Sequence, residues 1–240
     1  PRPPGRPAPR AREPIYVEDD VHRTLERMEP LAYGVTADLG GFRVTPQAAG
    51  HIPGSASFLV EVGGRRLVFS GDVGNARKEI LPDPTPCPPA DVVFMESTYG
   101  DRDHRDYHAT IEEFAQVLRD AQQRGGKILV PSFALERTQE ILYTVAHLER
   151  DHDIAPMPVY VDSPLATKIE DVYDCFPEER SEELRLLRAT GRDPFHPKHL
   201  RFTRSVTESK EINASPEAAM IIAGSGMLSG GRILHHLMAH

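Results

Sequence analysis

The sequence has little cysteine, no long hydrophobic run and no excess of positive charge. Its two cysteines, Cys87 and Cys175, lie outside any CxxC pair, which excludes a disulfide scaffold or a cysteine-rich zinc site and fits a reducing cytoplasm. No stretch approaches the roughly 18 apolar residues of a membrane span, so no membrane partner is expected. The net charge is −8, and the four arginines of residues 1–12 leave −12 for the remainder. A protein that coats nucleic acid without sequence preference would be basic overall. Any nucleic-acid contact of this acidic chain must therefore depend on a few positive groups in one place.

The first residues differ in composition from the rest of the chain. Residues 1–13 are rich in proline and arginine and lack apolar periodicity, which predicts a disordered or extended lead-in. The functional alternative is a basic arm that contacts nucleic acid. A short helix is expected around Glu18–Met28, because acids stand at its start and apolar residues share one face.

A hairpin is the clearest local signal. Two strand-like runs, Ser57–Val62 and Arg65–Ser70, flank Gly63-Gly64, which is the chemistry of a two-residue turn. Further on, Asp91–Met95 is a short apolar run of the buried-strand type and ends at Glu96.

From there helices and strands alternate. Helical spacing predicts helices over Thr110–Gln123 and Ala134–Leu148, over parts of Asp171–Ala189, and from Gly230 onward. Strands are expected at 127–130, 159–161 and 219–223. This alternation predicts a mainly parallel sheet covered by helices.

Several polar residues directly follow strand-like runs, where open α/β sheets collect their ligands. They are His51, Asp72, Glu96, Ser132, Asp162, Ser163 and Ser225. Each also has a plainer interpretation: a surface histidine, an Asx turn at Asp72, a turn cap at Glu96. The Gly-rich segment 224–232 is either a flexible loop or a binding turn for an anion, because bare backbone N–H groups point outward at such turns.

Taken in order, the motifs resemble the β-CASP family of metallo-β-lactamase-fold RNA-processing hydrolases. They are AGHIPGSA, the Gly-Gly hairpin, FSGDVGN, MESTYGDR, GGKILVPSFALERTQEIL, VYVDSPLA and AGSGMLSGGRILHH, and they run from about Pro14 to His240. The family includes bacterial RNA exonucleases and the eukaryotic cleavage-and-polyadenylation endonuclease. The resemblance implies an α/β fold, with a partial metallo-β-lactamase αββα sandwich over 14–104 and a β-CASP domain with a mainly parallel sheet over 105–240.

The resemblance also assigns roles to individual residues. His51 matches a zinc-ligating histidine, Asp72 matches the carboxylate that bridges two Zn²⁺ ions, and Glu96 matches an acid that orients the site. Asp72 and Glu96 are thus the catalytic candidates and His51 and Asp72 the metal candidates. An imidazole nitrogen and a carboxylate oxygen are natural zinc ligands. We expect the side chains of His51 and Asp72 to converge on one pocket, because both follow strand-like runs that feed the same sheet edge. Glu96 is expected at the end of the neighbouring strand, near that pocket.

Candidate substrate contacts lie in the second half. Arg137, at the start of a helix, is a candidate to grip a phosphate, and its plainer role is an ion pair with Glu136 or Glu140. Ser225 and Ser229 are expected to present hydroxyls beside the backbone N–H groups of the Gly-rich turn.

The sequence departs from the family where most of its metal ligands belong. The family's principal His-x-His-x-Asp-His run is missing, and none of the eleven histidines forms a His-x-His pair. His235 and His236 are adjacent and are interpreted as helix surface. The chain is therefore expected to be an internal fragment that is inactive alone, with an RNA substrate for the full-length protein.

Two other functions compete with RNA hydrolysis. One is a non-catalytic β-CASP scaffold in an RNA-processing complex, against which the retained His51, Asp72 and Glu96 argue. The other is a metallo-hydrolase of small esters, against which the β-CASP segment argues. The sequence leaves open RNA or DNA, exonuclease or endonuclease action, and assembly as a homo-oligomer.

Overall fold

A computed structural model of the protein describes residues 14–76, 78–191 and 193–240. The predicted lead-in at 1–13 lies outside the described residues. Nine strands form two sheets within that part of the chain. The strands are β1 (Ala37–Asp38), β2 (Arg43–Ala48), β3 (Ala56–Val62), β4 (Arg65–Phe69), β5 (Val92–Phe94), β6 (Lys127–Pro131), β7 (Pro158–Val161), β8 (His199–Phe202) and β9 (Ala219–Ala223).

The helices of the described residues belong mostly to the second half. They are α1 (Glu18–Leu25), α2 (Tyr107–Arg124), α3 (Arg137–Arg150), α4 (Pro164–Cys175), α5 (Glu182–Ala189), α6 (Val206–Ala214) and α7 (Arg232–Ala239), with a short 3-10 helix at Pro177–Glu179. None of them is long and apolar enough to cross a membrane.

The first sheet has the order β1-β2-β3-β4-β5 and confirms the predicted hairpin. Its pairs are antiparallel from β1 to β4, and β5 joins β4 in parallel. Gly63 and Gly64 form the β3–β4 turn with φ of 55° and 75°, a left-handed backbone that glycine adopts without steric cost.

The prediction that β5 is buried was wrong. Val92, Val93 and Phe94 are 42%, 56% and 52% exposed. Among the described residues this strand pairs only with β4, so it is an edge strand, and Phe94 stacks on Phe69 at 4.7 Å between ring centroids. Within the described residues this face of the sheet is open to solvent, so an apolar run alone did not decide burial.

The second sheet has the order β6-β9-β7-β8 and is parallel throughout, which confirms the predicted parallel sheet. Helices cover it on both faces. Met220 and Ile222 of β9 join the main hydrophobic core together with residues of α2, α3, α4 and α5. Ile221 lies on the opposite face, because side chains alternate along a strand, and α7 contacts this side of β6 and β9.

Several predicted boundaries and four missed elements show how far local sequence patterns can predict the fold. The predicted helix over 134–148 begins only at Arg137, and the break at Pro177 coincides with the 3-10 helix. The sequence pattern did not reveal β1, β8 or α6, nor did it reveal β2, which contains Pro46. A capping box of Ser205 and Glu208 marks the start of α6 and was a usable signal.

Candidate functional site

Three loops of the first half lie at the same end of the strands of the first sheet. His51 lies in the loop between β2 and β3, Asp72 follows β4, and Glu96 follows β5. The antiparallel β2–β3 and β3–β4 pairs and the parallel β4–β5 pair place all three loops at the same end. The shared sheet edge expected from the sequence is therefore present.

Backbone contacts hold the His51 and Asp72 loops against each other. The N–H of Gly74 donates to the carbonyl of Ala49 at 2.8 Å. A Cβ at Gly74 would lie 1.8 Å from the carbonyl oxygen of Gly50 and 2.8 Å from the backbone nitrogen of His51. Only glycine permits this approach, so the GDVG sequence is required for the two loops to touch.

Glu96 ties its own loop to the Asp72 loop. Its carboxylate accepts hydrogen bonds from the backbone N–H of Val73 at 3.0 Å and of Thr98 at 3.4 Å. Its backbone N–H donates to the hydroxyl of Ser70 at 3.0 Å. The bond from Val73 is the largest of several contacts that lower the pKa of Glu96, and a small electrostatic contribution comes from His51. Glu96 therefore joins its own loop to the Asp72 loop through Val73, and it also caps the turn, as the plainer interpretation held.

His51 is half-buried, and its loop is held by local hydrogen bonds. The hydroxyl of Ser55 accepts from the backbone N–H groups of His51 and Ile52 at 3.1 and 3.2 Å. The backbone carbonyl of His51 accepts from the Lys78 ammonium at 3.3 Å. The ring is thus carried on a braced loop next to the exposed Asp72, and convergence of the two side chains stays a prediction.

The donor types fit zinc, but the donor number does not. Among the described residues, no group of three or more histidine, cysteine, aspartate or glutamate side chains is placed to hold a metal ion. Zinc in proteins takes three or four protein ligands. His51 and Asp72 by themselves would therefore not make a complete zinc site, and their role as metal ligands stays a prediction.

The second half has a buried polar cluster at the end of β7. Asp162 is fully buried and accepts hydrogen bonds from the hydroxyls of Thr203 and Ser209, from Arg232 and from His236. Burial alone would raise its pKa, yet these four donors hold the pKa of Asp162 well below the usual range. Asp162 therefore works as an ionised centre that joins α6, α7 and the strand ends.

The interpretation of His236 as helix surface was wrong. His236 is fully buried, and its ring nitrogens lie 2.7 Å from Asp162 Oδ2 and 2.6 Å from Asn213 Oδ1. The helix turns His236 onto the same face as the buried Ile233, three residues earlier. That spacing was the available signal. His235 is exposed, as expected.

The Gly-rich segment is a strand-to-helix turn, as predicted. The hydroxyls of Ser225 and Ser229 lie 3.2 Å apart, and Ser225 also accepts from the N–H of Met227. Gly231 has a φ of 79°, and a Cβ there would lie 2.3 Å from the Gly224 carbonyl oxygen. Among the described residues, none accepts a hydrogen bond from the backbone N–H of Ser229 or Gly230. The anion-binding role of the turn stays a prediction.

Arg137 and Ser132 lie at the same end of the second sheet. The Arg137 guanidinium pairs with Glu140 at 2.9 Å, which is the plainer role, and its side chain is 66% exposed. A Cβ at Gly226 would lie 2.9 Å from the ring of Phe133, so the β6–α3 loop adjoins the Gly-rich turn. Ser132 is buried, and its hydroxyl lies 3.1 Å from that of Thr138, which is a structural role.

Comparison with known proteins adds two family matches. A Beta-lactamase superfamily domain matches residues 5–131, and a Beta-Casp domain matches residues 138–240. The predicted boundary at 104/105 stays a prediction.

Three curated relatives carry ribonuclease or RNA-processing names. Ribonuclease TTHA0252 of Thermus thermophilus is 43% identical over 94% of this chain and 52% of its own length. Endoribonuclease YSH1 of Eremothecium gossypii is 29% identical over 91% of this chain and 29% of its own length. Cleavage and polyadenylation specificity factor subunit 3-I of Arabidopsis thaliana is 28% identical over 90% of this chain and 31% of its own length. The chain thus spans about half, or less, of the relatives it matches.

Proposed function

Because the chain belongs to the β-lactamase superfamily, with a metallo-β-lactamase-type domain followed by a β-CASP domain, we propose that the full-length protein hydrolyses RNA phosphodiester bonds. The observation that carries the proposal is the meeting of the His51, Asp72 and Glu96 loops at one sheet edge. The names of the relatives, which are ribonucleases and a polyadenylation factor, support RNA as the substrate. The two free cysteines, both exposed, fit a cytoplasmic location.

We propose zinc as the metal, with His51 and Asp72 as two of its ligands. Glu96 positions Asp72 by accepting from Val73, and it remains ionised when it does so. Further ligands would come from residues of the full-length protein beyond those described. The 240-residue chain alone is accordingly proposed to bind no zinc tightly and to cleave no RNA.

The second half supplies the contacts for the RNA backbone in this proposal. The turn at Ser225–Gly231 offers hydroxyls and backbone N–H groups to a phosphate, and α7 begins directly after it. Arg137 at the start of α3 offers a guanidinium that is two-thirds exposed. Both groups follow parallel strands of one sheet, so they lie at the carboxyl ends of those strands, on the same side of the sheet.

The decisive experiment compares a labelled single-stranded RNA and bound zinc in the full-length protein and in the 240-residue chain. We expect cleavage and stoichiometric zinc only in the full-length protein. Asp72→Ala and His51→Ala should each reduce the cleavage rate at least about 100-fold, since loss of even an indirect metal contact costs 10–100-fold. Asp19→Ala, an exposed acid in α1, is the control.

Other results would select another function. Zinc-free full-length protein that binds RNA without cleaving it would identify a scaffold. Cleavage of a chromogenic ester with no cleavage of RNA or DNA would identify a small-ester hydrolase. Tight zinc and cleavage by the 240-residue chain would contradict the placement of the site.

The phosphate role of the Gly-rich turn has its own test. Binding of a nucleotide monophosphate to the full-length protein should weaken about 3- to 10-fold in Ser229→Ala, which removes one neutral hydrogen bond. Ser215→Ala is a matched control, because Ser215 precedes β9 and so lies at the opposite end of that strand from the turn. Equal binding by both variants would remove Ser229 from the site.

A further inference from the structure

Residues 78–81 cross from the first half into the second. Ile80 and Leu81 are each 2% exposed and belong to the core formed with α2, α3 and α5. The backbone N–H of Ser181 donates to the carbonyl of Ile80 at 2.8 Å, and its hydroxyl donates to the carbonyl of Glu79. The segment that follows the Asp72 loop is therefore anchored in the second half.

Lys78 opens this segment and contacts both halves. Its ammonium donates to the backbone carbonyl of His51 at 3.3 Å and lies 3.1 Å from Glu140 Oε1 and 3.8 Å from Glu136 Oε1. The lysine side chain is only 20% exposed. One largely buried cation thus joins the loop of the candidate metal ligand to the start of α3.

Glu136 is held in an unusual conformation next to Lys78. Its φ is 66° and its ψ is −61°, and the N–H of Arg137 donates across it to the carbonyl of Leu135 at 2.9 Å. This is a strained three-residue γ-turn, a geometry that persists only where the surroundings impose it. The turn directs the buried carboxylate towards the hydroxyl of Tyr173 and towards Lys78.

Glu140 extends the contact to the candidate phosphate-binding residue. One carboxylate oxygen lies 3.1 Å from the Lys78 ammonium, and the other lies 2.9 Å from the Arg137 guanidinium. Burial raises the pKa of Glu136 to about 7, and Glu136 also lies farther from the Lys78 ammonium, at 3.8 Å, than Glu140 does at 3.1 Å. A continuous polar path therefore runs from His51 through Lys78 and Glu140 to Arg137.

We propose that Lys78 is a positioning residue that fixes the His51 loop relative to α3, and so sets the spacing between the metal end of the site and Arg137. The inference rests on the proposed function, because it assigns Lys78 to the alignment of that same site. Lys78 touches neither metal nor substrate and acts through the His51 carbonyl and Glu140.

The first test measures the loop itself and does not depend on activity. Amide hydrogen exchange at residues 49–55 of the full-length protein should become at least about threefold faster in Lys78→Met, because the loop loses a tie to the second half. Lys210→Met, which removes an exposed lysine of α6, should leave this exchange unchanged. Unchanged exchange at 49–55 in Lys78→Met would overturn the proposal.

The second test measures alignment. Lys78→Met should lower kcat for RNA cleavage about 10- to 100-fold and leave the zinc content as in the unsubstituted protein, which is the size expected for a residue that acts through another. Lys78→Arg keeps a cation and should recover part of the rate. Lys78→Met combined with Glu140→Gln should lose less rate than the product of the two single losses, because the two variants share the Lys78–Glu140 contact.

The outcomes separate this inference from the proposed function. If Asp72→Ala abolishes cleavage and Lys78→Met cleaves within twofold of the unsubstituted protein, Lys78 has no positioning role. Additive losses from Lys78→Met and Glu140→Gln would also contradict it. If Asp72→Ala cleaves normally, the proposed function fails, and hydrogen exchange still decides whether Lys78 holds the loop.

Discussion

The polar residues at the strand ends are exposed or half-buried in the first half of the molecule, whereas in the second half the corresponding carboxylate is buried. In the first half, Asp72 is exposed and His51 half-buried, on loops braced by backbone contacts. In the second half, Asp162 is fully buried and accepts from four side chains. A carboxylate with all its acceptor positions occupied stabilises the fold, whereas an exposed one remains available to a ligand. Both carboxylates follow strands, so placement after a strand does not distinguish a structural carboxylate from one that is open to a ligand.

The strands themselves show the same contrast. Every residue of β9 is buried, and every residue of β5 is exposed, although both are short apolar runs. β9 has a strand on each side and helices on both faces, while β5 is an edge strand. Neighbours, and not hydrophobicity, set the burial.

Removing the buried carboxylate should have the largest effect on stability. Asp162→Ala leaves His236 and Arg232 without their acceptor, so the free energy of unfolding should fall by roughly 3–5 kcal/mol. Urea denaturation measures this loss. Asp19→Ala, an exposed acid of α1, should stay within about 0.5 kcal/mol. A loss below about 1 kcal/mol in Asp162→Ala would mean that the cluster is not formed.

Truncation in the central strand should come next. Ile221→Ala removes a fully buried side chain of β9 and should cost about 3 kcal/mol, from lost burial and the cavity left behind. Urea denaturation applies again. A cost near zero would show that the second sheet is not a packed core.

A third prediction contrasts two buried carboxylates. Glu136 is 5% exposed but has one oxygen without a hydrogen-bond partner among the described residues, and burial raises its pKa from 4.5 to about 7. The folded state then holds a proton that the unfolded state releases, so this group lowers stability as pH rises from about 4.5 to 7. Asp162, with its lowered pKa, contributes stability that is complete above the ordinary carboxyl range and is lost only in acid.

Glu136→Gln should remove the first of these pH dependences. Relative to the unsubstituted protein, the variant should gain on the order of 1–3 kcal/mol between pH 5 and pH 8, because it carries no desolvated charge at the higher pH. Denaturation at both pH values measures the gain. The same difference at pH 5 and pH 8 would contradict the raised pKa.

The smallest effect is expected at the open edge of the first sheet. Val93 is 56% exposed, so Val93→Ala in the 240-residue chain should change the free energy of unfolding by no more than about 0.5 kcal/mol. The same substitution in the full-length protein sharpens the comparison. A cost above about 1 kcal/mol there would show that other residues of that protein cover β5.

Local chemistry was enough to predict much of the fold. Gly63-Gly64 between two alternating runs determined a hairpin, because those residues adopt the left-handed backbone of its turn. Helical spacing ended by Gly125, with a φ of 73°, determined α2 and its C-terminal cap. The sequence did not predict β2 because a proline such as Pro46 argues against a strand. In the structure, Pro46 nevertheless lies in β2 and pairs with Phe58 of β3.

The sequence by itself determined the hairpin, the turns and the order of the motifs, and with them the placement of Asp72 and Glu96 after strands. Those features depend on neighbours within a few residues of each other. Only the tertiary structure decided that His236 is buried on Asp162, that Glu136 sits in a strained turn, and that Lys78 joins the two halves. A polar side chain is buried when distant partners satisfy its hydrogen bonds, and those partners lie 74 residues apart for His236 and Asp162. Helical spacing indicates that His236 shares a face of α7 with the buried Ile233, but it does not identify the distant partner.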